Sequence, residues 1–481
     1  MSSITVLKCL VPALMLLAGC GGSEVHPEAA APLSADDVNL IFVVSPDLVH
    51  HAEGDIQPDT ANLTPQGLQR SLLMASYLKE QVLGSTNATG IYALAPMTHL
   101  QTANRYPNMA AIGYIQPFAL LNQITIKGTT AYSFPIHAAY APGDVPAGVV
   151  EPNPYKPGAQ GLAFDDMNAN NVALASRIID AHVAGFHVFS APWETIRALL
   201  VDVNFMHGFD LEVPTAYRGP NTVYALSVEA SGRARLVALD SDLDPPGSYP
   251  VLPLPLAAAA CTKQPYFSIT RTAGLNGVVV PEGMNTNQTV YLMRHTDAHP
   301  ADHFEDGNYV GTGQWRALAL PDVLPKALRG LPRPTLVYSI DPAQSFALSA
   351  DFSVSYVRPS LTVLPYVIAH NLPYKLIADF YMGAATDQAV AKATSDFLFT
   401  GGHHADQTIL LAWEREHLPP LVTYLIQSYG GTVPVPALAW PQDDYDTIWT
   451  VRLDAEGNLT VDNALCQGID SASLPPAPPP F

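Results

Sequence analysis

The chain has few cysteines, little positive charge and no long apolar run beyond its first twenty residues. Only 4 of its 481 residues are Cys, and 23 Lys and Arg stand against 43 Asp and Glu, for a net charge of −20. So few cysteines exclude a disulfide-stapled miniprotein, and no Cys/His spacing of the zinc-binding kind occurs. Because no Lys/Arg-rich run offsets the acidic balance, we predict no nucleic-acid partner. No later stretch reaches the about 18 consecutive apolar residues of a membrane-spanning helix, so we expect a soluble body.

The chain does contain enough apolar material for a large core, since 48% of its residues are hydrophobic and 9% are aromatic. This composition excludes a disordered chain. The length exceeds the about 100–200 residues of a typical domain, which predicts two domains.

The N-terminus has the pattern of an export signal. Lys8 precedes an apolar run from Leu10 to Gly19, too short to span a membrane but typical of a signal peptide. The run ends in Leu-Ala-Gly-Cys20, which resembles the bacterial lipobox and implies lipidation of Cys20; the alternative is an ordinary signal peptide with a coincidental Cys. We therefore expect a protein anchored by lipid in the bacterial cell envelope, at the outer membrane facing the periplasm. In such a compartment Cys261 and Cys466 could pair, but the sequence leaves this open.

Parts of the chain recur in order. The predicted hairpin Thr222–Gly232 is matched 225 residues later by Thr447–Gly457, and Trp193-Glu194 is matched 220 residues later by Trp413-Glu414. We interpret these matches as a duplicated domain. The predicted segments are a signal peptide at 1–20, a tether at 21–37, domains at 38–240 and 288–466, a Pro-rich linker at 241–287 and a Pro-rich tail at 467–481.

Short β-branched apolar runs alternate with amphipathic helical patterns, of which Leu63–Val82 is the clearest. This alternation predicts two three-layer α/β/α domains with mostly parallel sheets. The predicted strands are Leu40–Val44, Gly90–Ala93, His187–Ser190, Thr289–Met293, Thr335–Ser339 and Thr408–Ala412.

Basic side chains follow the strands of the second half, at the edge where such sheets bind ligands. Arg294 and His295 end its first strand, Arg358 follows the second, and the segment from Trp413 to His417 follows the third. Guanidinium groups can bind phosphate oxygens in pairs, and an imidazole can attack phosphorus. The pattern indicates a site for a phosphorylated substrate.

These motifs resemble the histidine phosphatase superfamily, which has the phosphoglycerate-mutase-like fold. Arg294-His295 matches its opening Arg-His, and Arg358-Pro359 with Thr362 matches its middle Arg-Pro-x-x-Thr. The resemblance spans about residues 288–463. It implies that His295 is the nucleophile that forms phosphohistidine and that Arg294 and Arg358 bind phosphate. The implied activity is that of an exported, histidine acid phosphatase-like phosphomonoesterase, acting on a small phosphate ester without a cofactor.

The segment after the third strand departs from the family. Arg415 stands where the family's second histidine is expected, and His417 comes two residues later. Either His417 takes that role beside Glu414, or Arg415 binds phosphate as a fixed cation. The identity of the general acid stays open among Glu414, Glu416, Asp297 and Asp379.

The first half resembles the same fold without its chemistry. Ser45-Pro46 stands where the second half has Arg294-His295, and no histidine follows Trp193-Glu194 directly. His99 or Arg105 could occupy the middle position. We expect a non-catalytic partner domain.

The sequence leaves two other functions open. One is a binding or scaffold lipoprotein that kept the fold after both copies lost activity. The other is a metal-dependent hydrolase, which would use the string from His295 through Asp297, His299, Asp302 and His303; Pro300 interrupts its spacing, so no metal site is predicted there. The substrate and the oligomeric state stay open.

Overall fold

The computed structural model describes residues 33–481 except 127, 142, 151–159, 255, 257–259, 262–264, 299–305, 348–352, 379 and 381–387. Residues 33–481 form one compact unit. The predicted signal peptide, Cys20 and most of the predicted tether lie outside the described residues. Among the helices that the structure describes, none combines the length and apolarity needed to cross a membrane.

The first half contains a five-stranded mixed sheet in the order β2-β7-β1-β8-β9, with β2, β7 and β1 parallel. Its elements are β1 (Val38–Val44), α1 (Pro65–Tyr77), β2 (Gly90–Ala93), β3 (Leu100–Gln101), β4 (Tyr106–Pro107), α2 (Ala110–Leu120), β5 (Gln123–Ile126), β6 (Thr129–Tyr132), α3 (Asn170–Asp180), β7 (Gly185–Ala191), α4 (Trp193–His207), β8 (Thr222–Val228) and β9 (Ala234–Asp240).

The second half contains a seven-stranded sheet in the order β10-β18-β17-β11-β16-β12-β15, with β11, β16, β12 and β15 parallel. Its elements are β10 (Ser268–Arg271), β11 (Gln288–Arg294), α5 (Gly311–Ala327), β12 (Leu336–Ile340), β13 (Ser345–Ala347), β14 (Ser353–Ser355), α6 (Arg358–His370), β15 (Tyr374–Ile377), α7 (Gln388–Phe399), β16 (Thr408–Trp413), α8 (Leu418–Ser428), β17 (Thr447–Leu453) and β18 (Leu459–Cys466).

Five strands of each sheet follow the same order, because β2-β7-β1-β8-β9 corresponds to β12-β16-β11-β17-β18. In both sheets a parallel centre is extended by an antiparallel hairpin. The predicted α/β fold class is confirmed. The duplication itself stays an interpretation of the matching sequence and strand order.

Each sheet lies between two layers of helices. In β1, Ile41 and Val43 pack in the same core as α1 and α2, whereas Leu40 and Phe42 pack in the core that contains α3 and α4. In β11 the alternation is the same, with α5 and α6 on one face and α7 and α8 on the other. Such alternation follows from the period of two in a strand. The cores under α1, α2, α5 and α6 are continuous, so the two halves share buried surface.

Local sequence sets the start of α1. Thr64 caps the helix by accepting a hydrogen bond from the Gly67 amide at 3.1 Å, and Pro65 occupies the first helical position. The helix continues into a π-helical segment at Leu78–Val82. The predicted helix Leu63–Val82 therefore corresponds to one continuous helical segment.

Parts of the predicted linker and of the predicted tail belong to the packed structure. Within the predicted linker, Ser268–Arg271 forms β10, because it extends the edge of the sheet beside β18. In the predicted tail, the Ala477 carbonyl accepts a hydrogen bond from Trp315 Nε1 at 2.9 Å. Ile469 and Leu474 pack with Trp315 in a small apolar cluster. High proline content did not keep either segment out of the fold.

Cys261 and Cys466 form a disulfide, with Cα atoms 5.5 Å apart and a separation of 205 positions in the sequence. A bond that closes so long a loop restricts the unfolded chain strongly. We expect the Cys261→Ser/Cys466→Ser double variant to lose about 2–5 kcal/mol of unfolding free energy. Urea denaturation of the oxidised protein and the double variant measures this loss. A difference below about 1 kcal/mol would show that the bond does not stabilise the fold.

Candidate active site

The carboxyl ends of β11 and β16 bring the first and third basic segments together. The strands are parallel with Arg294 opposite Trp413, and the His295 amide donates a hydrogen bond to the Trp413 carbonyl at 2.8 Å. The Thr296 amide donates to Thr362 Oγ1 at 2.9 Å, which joins the end of β11 to α6. All three predicted segments therefore meet at one edge of the second sheet.

His295 is buried, with 3% of its surface exposed. Its Nδ1 lies 2.8 Å from the Thr296 carbonyl oxygen. A carbonyl can only accept, so Nδ1 carries the proton and Nε2 of the neutral ring is the unprotonated nitrogen. The ring also lies beside Tyr356 and Tyr445, at centroid distances of 6.2 and 6.0 Å. The imidazole is thus held in one tautomer between two aromatic side chains.

The three arginines of the predicted phosphate site are close enough for their charges to interact. Burial lowers the pKa of the Arg294 guanidinium, and the positive charges of Arg415 and Arg358 lower that pKa further. Arg294 Cζ lies 4.0 Å from the Tyr445 ring centroid, and its Nη1 donates to the Asp444 carbonyl at 3.4 Å. The buried Nε of Arg294 has no hydrogen-bond partner among the described residues. Three positively charged side chains, one of which has an unused N–H donor, are suited to binding an anion.

Arg358 is almost completely buried at the first position of α6, with 1% of its surface exposed. Its Cζ lies 5.0 Å from the Tyr356 ring centroid, the same ring that lies beside His295. The Tyr356 ring therefore contacts both Arg358 and His295, and the Tyr445 ring contacts both Arg294 and His295.

His417 is buried at the start of α8, and its ring stacks on Trp413 at a centroid distance of 4.7 Å. Its Nδ1 contacts Glu414 Oε1. The buried Nε2 has no hydrogen-bond partner in the described part of the chain. Arg415, by contrast, has a side chain 32% exposed and pairs with Glu416 at 2.9 Å. The turn between β16 and α8 therefore carries both residues that the sequence left open as alternatives.

Among the four acids considered as proton donors, Asp297 makes structural contacts. Its Oδ2 accepts a hydrogen bond from Arg316 Nε at 2.7 Å, and both side chains are buried. Burial acts to raise the pKa of Asp297, but the charge and hydrogen bonds of Arg316 outweigh it and hold that pKa below the usual value. Glu416 is exposed, and Asp379 lies outside the described residues.

Asp341, which directly follows β12, is a further acidic residue that none of the sequence motifs indicated. The residue is fully buried, and Tyr140 of the first half donates a hydrogen bond to its Oδ2 at 3.2 Å. Burial raises the pKa of Asp341 to about 6. Its position after a predicted strand was a usable signal, but nothing local revealed its burial.

Asp341 should make stability depend on pH. Because its pKa is about 6 in the folded protein and 3.8 ordinarily, its favourable contribution is complete below about pH 4 and is lost as the pH rises through 6. We expect Asp341→Asn to gain up to about 3 kcal/mol relative to the wild type between pH 4 and pH 7.5. Urea unfolding of both proteins at these two pH values measures the gain. A difference that does not change with pH would contradict the assignment.

A cavity of about 470 Å³ adjoins the cluster, with Tyr445 in its lining. It lies between the β5–β6 hairpin of the first half and the chain around Asp443 and Ser471 of the second half. Its lining includes Gln123, Thr130, Tyr132, Val310, Asp443 and Tyr445.

The remaining predicted positions fall into two groups. His99 lies near the strand ends of the first half, with Nε2 3.4 Å from Asp47 Oδ2, whereas exposed Arg105 donates to the Ala147 carbonyl. Of the string considered for a metal-dependent hydrolase, His299, Asp302 and His303 lie outside the described residues.

No protein-family model and no curated protein matches the chain. Among solved structures it is similar to a SixA protein from Agrobacterium tumefaciens, with 16% identity and a TM-score of 0.22 over 34% of this chain and 92% of that one. It is also similar to a protein histidine phosphatase SixA complexed with tungstate, with 20% identity and a TM-score of 0.21 over 36% of this chain and 96% of that one. A phosphoglycerate mutase from Plasmodium falciparum shares 15% identity, with a TM-score of 0.21 over 37% of this chain and 89% of that one.

Proposed function

We propose that this protein is a phosphoric monoester hydrolase of the histidine phosphatase type that works through a phosphohistidine at His295. The observation that carries the proposal is the buried His295 ring, whose Nδ1–H is fixed on the Thr296 carbonyl beside Arg294, a guanidinium close enough to Arg358 and Arg415 to feel their charges. A neutral imidazole with an unprotonated Nε2 is a nucleophile, and guanidinium groups stabilise charge on a phosphoryl group in transfer.

In the first step, His295 Nε2 attacks phosphorus while Arg294 and Arg358 bind the non-bridging oxygens. The N–P bond forms, the ester P–O bond breaks, and the leaving oxygen takes a proton from His417. Glu414 contacts Nδ1 of His417, so the ring in its protonated form presents Nε2–H to the substrate. In the second step, His417 Nε2 takes a proton from the water that attacks phosphorus, and the N–P bond of phosphohistidine breaks. Inorganic phosphate leaves, and the His295 and His417 imidazoles return to their starting states.

We further propose that the protein is exported and anchored through a lipid on Cys20, and that it acts on a small soluble phosphate ester. The lipobox-like Leu-Ala-Gly-Cys supports the anchor. The disulfide between Cys261 and Cys466 supports an oxidising compartment. The net charge of −20 disfavours polyanionic substrates such as nucleic acids.

The test is hydrolysis of para-nitrophenyl phosphate by the full chain in EDTA, followed by acid-base treatment of a rapidly quenched, ³²P-labelled protein. We expect turnover that resists EDTA, inhibition by vanadate and a label that is labile in acid but stable in base. Turnover that needs a divalent metal would favour a metal-dependent hydrolase instead. No turnover and no label would favour a scaffold that has lost its activity.

The Glu414–His417 contact predicts a kinetic effect of its own. In Glu414→Ala, His417 loses the group that orients its ring, so we expect kcat to fall about 10²-fold with a smaller change in KM. Steady-state kinetics with para-nitrophenyl phosphate measure both parameters. The matched control is Glu416→Ala, which removes an exposed acid two residues away and should change kcat less than about twofold. Equal losses in both variants would refute the role of the contact.

A further inference from the structure

The first half carries a second cluster of polar side chains at the strand ends that correspond to those of His295 and Glu414. Asp47 follows β1, and Glu194 lies in the first turn of α4 directly after β7. The Ser45 amide donates to the Ala191 carbonyl at 2.9 Å, which joins the two strand ends. His50 comes from the loop after β1. The edge of the first sheet therefore holds an imidazole and two carboxylates where the second holds the arginine cluster.

These three side chains have the spacing of a ligand set. One donor atom from each of Asp47, His50 and Glu194 lies within 4.8 Å of the other two. His50 Nδ1 and Glu194 Oε1 are 2.8 Å apart. Ligands about 2.1 Å from a shared cation are themselves separated by about 3–4 Å, so a small adjustment would let all three bind one ion.

One carboxylate oxygen of the cluster is left unsatisfied. Glu194 Oε1 lies 2.8 Å from His50 Nδ1, but the buried Oε2 of the same carboxylate has no hydrogen-bond partner in the described part of the chain. Buried polar atoms in folded proteins rarely lack partners, and each such atom calls for an explanation such as an ion.

The third member is held in position as a carboxylate. Asp47 Oδ1 accepts hydrogen bonds from the amides of Val49 and His50 at 3.0 and 2.6 Å, while His99 Nε2 lies 3.4 Å from Oδ2. His99 is in turn stacked on Phe164. A ligand oriented by outer hydrogen bonds is typical of metal sites.

We propose that Asp47, His50 and Glu194 bind one first-row divalent cation, Zn²⁺ or Mn²⁺. Two carboxylate oxygens and one imidazole nitrogen suit these ions, whereas the softer thiolate ligands of Cu(I) are missing from the cluster. The side chains of His50 and Glu194 are 24% and 39% exposed, so the ion can enter from solvent. The ion would link the loop after β1 to the start of α4, and it does not take part in the proposed phosphatase reaction.

The experiment is isothermal titration of the metal-stripped full chain with ZnCl₂ and with MnCl₂, combined with thermal melting. We expect one equivalent of one of these ions to bind and to raise Tm. In His50→Ala and in the nearly isosteric Glu194→Gln, we expect that affinity to fall more than about 100-fold, because even loss of an outer-sphere partner costs about 10–100-fold. Glu194→Gln keeps the test valid if His50→Ala fails to fold.

His295→Ala and His403→Ala serve as controls, since both remove a histidine elsewhere, and binding should persist in each. The proposal is overturned if neither ion binds the stripped wild type, or if uptake is unchanged in Glu194→Gln. If the phosphatase proposal fails, the wild type will show no turnover but will still bind the metal ion. The two proposals can therefore be tested separately.

Discussion

Replacing His295 with alanine is expected to lower the turnover of para-nitrophenyl phosphate by about 10⁴-fold or more. The imidazole forms the covalent bond to phosphorus in the proposed reaction, and Tyr356 and Tyr445, which flank it, cannot replace it as nucleophile. Because Arg294 and Arg358 would still bind phosphate, inorganic phosphate or vanadate should still protect His295→Ala against thermal unfolding. Loss of turnover with retained anion binding is the combination that identifies a nucleophile.

Stopped-time assays and melting curves with and without vanadate measure the two properties. The matched control is His370→Ala, which removes an exposed histidine at the far end of α6, where Nε2 contacts the Pro321 carbonyl at 3.2 Å. Its turnover should stay within about twofold of the wild type. If His295→Ala retains more than about a tenth of the activity, the reaction does not proceed through phosphohistidine at this residue.

The largest expected effect on stability comes from Arg316. Its side chain is 1% exposed and binds Asp297 at 2.7 Å, Asp446 at 3.3 Å and Ser471 Oγ at 2.8 Å. In Arg316→Met the packing volume is roughly kept, but two carboxylates are left buried without their countercharge. We expect a loss of about 3–5 kcal/mol of unfolding free energy, the usual cost of breaking a buried ion pair by removing one partner.

Urea unfolding at pH 7 measures this loss. Lys326→Met, on the exposed side of the same helix, is the matched control and should differ from the wild type by less than about 0.5 kcal/mol.

The pH dependence gives a second check. Since the pKa of Asp297 is held below its usual value, the stabilisation is present above about pH 4 and is lost as the pH falls further. Arg316→Met should therefore differ least from the wild type in acid. A loss under about 1 kcal/mol at pH 7 would refute the role of Arg316.

The strands could be predicted from the sequence because their signals are local. Each predicted strand, such as Thr289–Met293, lies within one or two residues of the observed one, here Gln288–Arg294. Short β-branched runs with buried faces leave little freedom in secondary structure. The same locality made Arg294 and His295 recognisable as residues at the end of a strand.

The features missed by the sequence analysis depend on contacts between distant segments. Asp341 has its raised pKa because packing buries it under Tyr140, 201 residues earlier in the chain. The approach of His50 to Glu194 requires the parallel pairing of β1 with β7. In sequence alone, each of these residues looks like an ordinary polar side chain in a loop.

The sequence by itself determined the six predicted strands, their approximate bounds and the strand ends at which the basic side chains stand, because hydrophobic period and turn residues act over a few positions. Only the tertiary structure decided that Cys261 pairs with Cys466, that Arg316 binds both Asp297 and Asp446, and that His417 lies against Glu414. The physical reason is that burial, charge pairing and protonation depend on which surfaces pack together, and that choice is made by the whole chain.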